Sequence, residues 1–461
     1  MNHLLKAVGF WTWGLIAIAI SVSLVSVSYR SLSVYRPHYA VDAAVYGHAQ
    51  DAGTSRGATP MPLGSGRAPS VSNQPVISRV IGMEMTAAQK AMQNGQWANA
   101  LRSLEAARSK SPLTTYDAKT IEEFTGVANI RLNNLKAAQT AYEAAFATGA
   151  YQADELARIF RLLFQLAATN KQDAKAIEYG KQAAEAGSAT GNDLSIISQL
   201  YYQQKDCENS GVWGDKAIAA FKKSGQPPKE VLYQLKLQCA SDANDTNRMK
   251  GALYDLIRLT NKTNYWNNLI RLERQDERID HNTLMIYRVM FDTHSMNADN
   301  DYIEMAQLLG DARLPGEGYA ILSKAVNIGI IKDEHKERST RLLNAFQSRA
   351  DTDASGFPAR EAESAQNPAG QVDVTLGELY FGAGDYRDAV ISINRALSKG
   401  QITQLDEAYV YLGRAQVALN NIGEAKKAFE KLKTVSNISS SALKLWILYS
   451  DMMPESASQP L

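Results

Sequence analysis

From residue 79 onward, apolar residues return every three or four positions. That period is the signature of amphipathic helices and leaves little room for strands, whose side chains alternate with a period of two. A slower rhythm lies over it. Ala389 and Ala425 stand 36 positions apart, and each sits in the second half of a helix–turn–helix pattern. Self-similarity at such a step means one supersecondary unit copied along the chain. A pair of helices this short cannot bury its apolar faces alone, so successive copies must stack. The expectation is an all-α protein built as a solenoid.

The copies are sharpest near the C-terminus. "LGELYFGAGDYRDAVISINRAL" carries Leu376, Gly377, Tyr380, Gly384, Tyr386, Ala389 and Ala396. "YVYLGRAQVALNNIGEAKKAFEKL" carries Tyr409, Leu412, Gly413, Ile422, Ala425 and Phe429. Near residue 84 the pattern returns in "AQKAMQNGQWANALRSLEAARSKSP", with Ala88, Gly95, Trp97, Ala100, Leu104, Ala107 and Pro112. Small residues such as Gly413 and Ala425 let two antiparallel helices approach, and Phe429 fills the seam. This arrangement resembles the tetratricopeptide repeat (TPR) family, with looser copies between residues 113 and 330. The resemblance implies a helix-turn-helix solenoid wound as a right-handed superhelix. It implies a scaffold or binding role and no catalytic residues. With the N-terminus described next, the chain is similar to exported TPR proteins of Gram-negative bacteria.

Residues 1–36 read as a signal or membrane anchor. No charge falls between Ala7 and Ser28, a stretch long enough to cross a bilayer as a helix. Ser26 and Ser28, or Gly47 and Ala49, would suit cleavage, so an uncleaved anchor and a removed signal both stay open. No cysteine follows the span, which excludes lipoprotein attachment. Lys6 precedes it and Arg30 and Arg36 follow, so flanking charge does not set the orientation. An N-terminal span of this kind leads the chain across the inner membrane, placing it in the periplasm, anchored or secreted. Residues 37–78, rich in Gly, Pro, Ser and Ala, read as a disordered linker of about 40 residues reaching roughly 35 Å. The array follows over 79–350, then a polar break over 351–370. C-terminal repeats with a capping helix span 371–450, and a tail spans 451–461.

A net charge of +1 argues against nucleic acid as a partner. No GxSxG, HExxH or phosphate-binding loop is present, so no catalytic residue and no cofactor is assigned. His3, His38, His48, His281, His294 and His335 are isolated, with no second ligand at metal spacing. The acidic run at Asp299 and Asp301 lacks the glycine and closing Glu of a calcium loop and reads as a helix cap.

In the family, the first helix of each repeat lines a concave groove. That register here names Arg131, Arg158, Arg161, Gln165, Gln199, Tyr202, Gln203, Gln234 and Gln238. Such amides and guanidiniums suit an extended peptide or acidic side chains; a plain solvated helix face is the competing reading. In the same register Cys207 and Cys239 fall on neighbouring helices. In an oxidising compartment they are disulfide candidates; otherwise they are two buried free thiols. The function expected is a non-catalytic interaction scaffold of the cell envelope, binding a protein or peptide and reaching the membrane through its N-terminus. The alternative is an accessory membrane-anchored subunit of a transport or secretion machine. Self-association through an uncapped end is a further expectation.

Overall fold

The computed structural model describes residues 76–275, 277 and 280–454. The expected anchor, most of the linker, the tail beyond 454 and His3, His38 and His48 lie outside the described residues. No helix among the described residues is long and apolar enough to cross a membrane. The described residues form helices and no strands. The chain divides into two compact units, one ending at Ala189 and the other beginning at Thr190.

The first unit holds α1 (Gly82–Gln93), α2 (Trp97–Arg108), α3 (Thr115–Arg131), α4 (Leu135–Ala147), α5 (Ala153–Thr169) and α6 (Asp173–Glu185). They pair as hairpins α1/α2, α3/α4 and α5/α6, and each hairpin packs on the next. On α5, Ile159, Leu163, Leu166 and Ala167 are buried at helical spacing, and the opposite face carries charge. A capping box opens α3: the amides of Thr114 and Asp117 each donate to the other's side chain at 3.0 Å. The other carboxylate oxygen of Asp117 accepts from the Ser78 amide at 2.9 Å, and Ile77 packs on the same core. The folded unit therefore begins before residue 79, inside the segment expected as linker.

The second unit continues with α7 (Gly191–Gln203), α8 (Cys207–Lys223), α9 (Glu230–Asp242), α10 (Thr246–Thr260), α11 (Thr263–Arg274) and α12 (Asp280–Asp292). Next come α13 (Asp299–Asp311), α14 (Pro315–Asn327), α15 (Asp333–Ser355), α16 (Phe357–Gln366), α17 (Gly370–Ala383) and α18 (Tyr386–Lys399). The described chain ends with α19 (Leu405–Ala418), α20 (Ile422–Lys431) and α21 (Ser440–Met452). The polar break expected over 351–370 is instead helical for most of its length. Tertiary anchoring supplies what local composition lacks: the Phe357 ring lies 4.5 Å from that of Tyr380, and Lys399 donates to the Ser364 carbonyl at 2.6 Å.

The hairpin turns share one conformation. Gly95, Asn133, Lys171, Lys205, Asn244, Arg313, Gly384 and Asn420 all adopt positive φ. After each, an amide bonds back five residues, as Gln172 does to Ala167 at 2.9 Å and Asp245 to Ala240 at 2.8 Å. This left-handed residue followed by the six-to-one bond is the Schellman turn, which satisfies the last carbonyls of the first helix while reversing the chain.

Neighbour-to-neighbour stacking does not exhaust the second unit. α21 packs on α20 and also reaches back to α10, α11 and α12. The Ser439 amide donates to Asn282 at 3.1 Å, and Ser441 donates to Glu273 at 2.8 Å. α14 crosses α17 so closely that a Cβ on Gly382 would lie 2.8 Å from the Glu317 amide nitrogen. The capping helix expected at the end of the array thus also closes the unit on its own middle. Gly382→Ala is expected to cost about 1–3 kcal/mol, because backbone must yield to backbone. Gly251→Ala, exposed and helical with open space around it, should instead stabilise by about 0.5–1 kcal/mol. Thermal or urea melts of the two variants against the parent check both signs.

Candidate functional site

The expected groove residues sit on first helices of hairpins. In the first unit, Arg158, Arg161 and Gln165 form one stripe along α5. Arg158 is 61% exposed and its Nη2 lies 3.4 Å from Glu123 Oε1 on α3. Glu123 also accepts from the Tyr151 hydroxyl at 2.9 Å. Arg131 is exposed at the end of α3, but its guanidinium lies 5.6 Å from the Trp97 ring, back over the preceding hairpin.

A firmer contact supports this face. Lys119 on α3 is buried, with Nζ 2.6 and 2.7 Å from the Glu155 carboxylate on α5 and 4.4 Å from the centre of the Tyr151 ring. Burial pushes the Glu155 carboxyl up, and the Lys119 ammonium and the Gln152 amide outweigh it, so it lies below the usual carboxylate range. Lys119 and Glu155 escaped the sequence reading. Their signal was a pair of opposite charges 36 positions apart, one repeat step.

In the second unit, Gln199, Tyr202 and Gln203 lie on α7, and Gln234 and Gln238 on α9. Burial, and then the nearby Asp242 carboxylate of α9, raise the Tyr202 phenol above its ordinary value. Gln203 is exposed at the helix end. Gln199 bonds back to the Ser195 carbonyl at 3.2 Å, and Gln238 donates to Asp242 at 3.0 Å. Gln234 is held inside a network: it donates to the Tyr265 hydroxyl at 2.8 Å, and Tyr265 donates to Glu230 at 2.5 Å. Lys262 completes it at 2.7 Å from Glu230. Burial and the Glu230 carboxylate push the Tyr265 phenol up to about 12. The sequence reading marked Gln234 as a groove contact; the structure also makes it a brace between α9 and α11.

Cys207 is the first residue of α8, and Cys239 lies in the third turn of α9. Their Sγ atoms are bonded at 2.08 Å, with Cα atoms 5.6 Å apart. The bond pins α9 to the α7/α8 hairpin beside Gln238.

Among the described residues, no group of three or more His, Cys, Asp or Glu is arranged to hold a metal ion. Asp301 accepts from the Ala298 amide at 3.2 Å and pairs with Arg271 at 3.0 Å. Asp299 accepts from His335 at 2.8 Å. The acidic run is a helix start whose carboxylates are taken up by Arg271 and His335.

A second polar cluster is buried where the second unit closes, and the sequence reading missed it. Arg288 on α12 is fully buried, 3.1 Å from Glu317 on α14 and 3.5 Å from Glu407 on α19, and it donates to Tyr411. Arg414 on α19 binds Glu317 at 2.5 Å and Asp292 at 2.8 Å. Tyr411 donates to Glu317 at 2.6 Å. Burial works against ionised Glu317, but Arg288 and Arg414 outweigh it and bring its carboxyl down to about 2. Removing one partner here would strand a charge in the interior.

The hairpin length, the repeated Schellman turn and the Gly and Ala seams make this a tetratricopeptide-like array of helical hairpins. No family model and no curated protein matches the chain. Solved structures similar to parts of it include a tetratricopeptide repeat protein from Parabacteroides merdae, at 14% identity and TM-score 0.28, covering 59% of this chain and 100% of that one. Another is MamA from Desulfovibrio magneticus, from residue 41 to its end, at 14% identity and TM-score 0.29, covering 44% of this chain and 100% of that one. A third is the C-terminal part of a TPR repeat-containing protein from Cytophaga hutchinsonii, at 12% identity and TM-score 0.30, covering 57% and 95%.

Closing the 32-residue segment between the cysteines should stabilise the fold by about 3–4 kcal/mol. The double variant Cys207→Ser, Cys239→Ser is expected to melt lower by that amount and to ignore reductant. The parent should fall to the same stability when reduced. Identical melts of oxidised and reduced parent would show that the bridge contributes nothing.

Proposed function

We propose that the chain is a non-catalytic scaffold of the cell envelope that binds an extended, acidic protein segment along the first helices of its hairpins. The observation that carries this is the stripe on α5, Arg158, Arg161 and Gln165, alongside α3. Arg158 is largely exposed and only loosely joined to Glu123, so it remains able to take a bidentate carboxylate. The buried Lys119–Glu155 pair holds the two helices beneath it in fixed register, which limits the ordering cost of capture.

Two features taken together support the compartment in this reading. The bond between the only two cysteines suits an oxidising environment, and the uncharged N-terminal stretch suits export. In this reading the protein works on the far side of the inner membrane, tethered or released.

Selection from a random peptide display library tests the binding claim. The parent chain should enrich acidic extended sequences. Arg158→Glu with Arg161→Glu should lose that enrichment at least about tenfold while helicity by circular dichroism stays unchanged. Equal enrichment of acidic and basic sequences, or an unchanged double variant, would sink it. Non-reducing peptide mapping of the protein from its native cells tests the compartment: two free thiols there would remove the oxidising reading.

A further inference from the structure

The closure of the second unit depends on a contact that titrates. His281, at the start of α12, has Nε2 2.5 Å from Asp406 and Nδ1 3.4 Å from Glu407, both on α19. Asp406 is fully buried and also accepts from Asn437 at 2.6 Å, in the segment leading to α21. One imidazole therefore touches the helix that carries Arg414 and the carboxylate that anchors the approach to α21. We propose that His281 with Asp406 and Glu407 forms a pH-sensitive clasp, tight when the imidazole is charged, that holds residues 405–452 against residues 280–292.

The neighbouring groups settle the sign. His281 is raised from 6.5 to about 9, first by its bond to Asp406, then by Glu407, against burial. A raised histidine lends stability that is complete below its unfolded value and is lost as pH rises through its folded one. The window is thus from about 6.5 to about 9. From α17, Glu378 faces Glu407. Burial first, and the Glu407 charge and hydrogen bond next, hold Glu378 well above the usual carboxylate range. Its protonated form favours closure too, so it acts in the same direction as His281. Burial opposes ionised Glu407, but the His281 hydrogen bond and the Arg288 charge bring it to about 2. Glu407 and Glu317 therefore weaken closure only in acid, below their ordinary values and down toward 2. Arg288 and Arg414 stay charged throughout. From α21, Tyr449 lies near Asp292 and Arg414, and burial holds its phenol above this window. From α11, Glu273 pairs with Lys250 at 3.0 Å and accepts from Ser441 at 2.8 Å. As pH approaches 9, proton loss from His281 takes the cation away from buried Asp406 and leaves Glu407 to its pairing with Arg288.

Hydrogen–deuterium exchange of the full chain at pH 6 and pH 9 tests this, read as protection factors so that intrinsic exchange cancels. Residues 405–418 and 440–452 should lose protection about tenfold or more at the higher pH, while α1–α6 hold theirs. His281→Lys keeps a cation throughout the range and should remove most of the pH effect, leaving only the part that Glu378 carries. His281→Asn, which cannot charge, should show the weaker protection at both values. Unchanged protection in the parent, loss spread equally over α1–α6, or the same loss in His281→Lys would overturn the proposal. The parent profile decides even where a variant fails to fold, and no outcome depends on peptide capture.

Discussion

Each hairpin in this protein has more apolar surface than its own two helices can cover, and everything else follows from that shortage. The seam inside a hairpin is closed by residues too small to keep the helices apart. Ala138, Ala145, Ala176 and Ala183 have no exposed surface, and a Cβ on Gly413 would sit 2.5 Å from the Phe429 ring. The outer surface is closed by the next hairpin. The Schellman turn then sets the spacing, because it reverses the chain in two or three residues while satisfying the helix end. Stacking at that spacing brings polar side chains one repeat apart into reach. Lys119 with Glu155, Lys175 with Glu143, Lys262 with Glu230 and Arg271 with Asp301 all span 30 to 36 positions.

The second unit adds a constraint of another kind. α21 and α19 return to α12, and their meeting place is filled by long charged side chains. Arg288, Glu317, Arg414 and Tyr411 form a network in which each cation has a carboxylate and a hydroxyl completes the set. An apolar filling of equal volume would stabilise as well or better. What the polar filling supplies is a set of directional bonds that tie α12, α14 and α19 to one another. It also makes closure responsive to protons, since His281 and Glu378 sit at its edge.

The two kinds of surface divide the work. Arg158 on α5 is largely exposed, and in the second unit the Cys207–Cys239 bond ties α8 to α9. The inner face of α19 is taken up by the protein's own α12. Gln234 belongs between these cases, since the repeat register named it for the groove while its hydrogen bond commits it to Tyr265.

The helical class, the hairpin unit and the small-residue seams were all readable from local pattern, because a 3.6-residue period and a repeat step are properties of neighbours in the chain. The pairing of Lys119 with Glu155 was readable in principle from the same step. The helix over 357–366 was not, since its polar composition is overruled by contacts with Tyr380 and Lys399 that local propensity does not contain. Nor was the closure. His281 with Asp406, Arg288 with Tyr411 and Ser441 with Glu273 lie 125, 123 and 168 positions apart, far beyond any repeat step. Sequence periodicity reports what each hairpin does to the next. Where the stack bends back and meets itself is the sum of many small packing angles, and only the folded structure carries that sum.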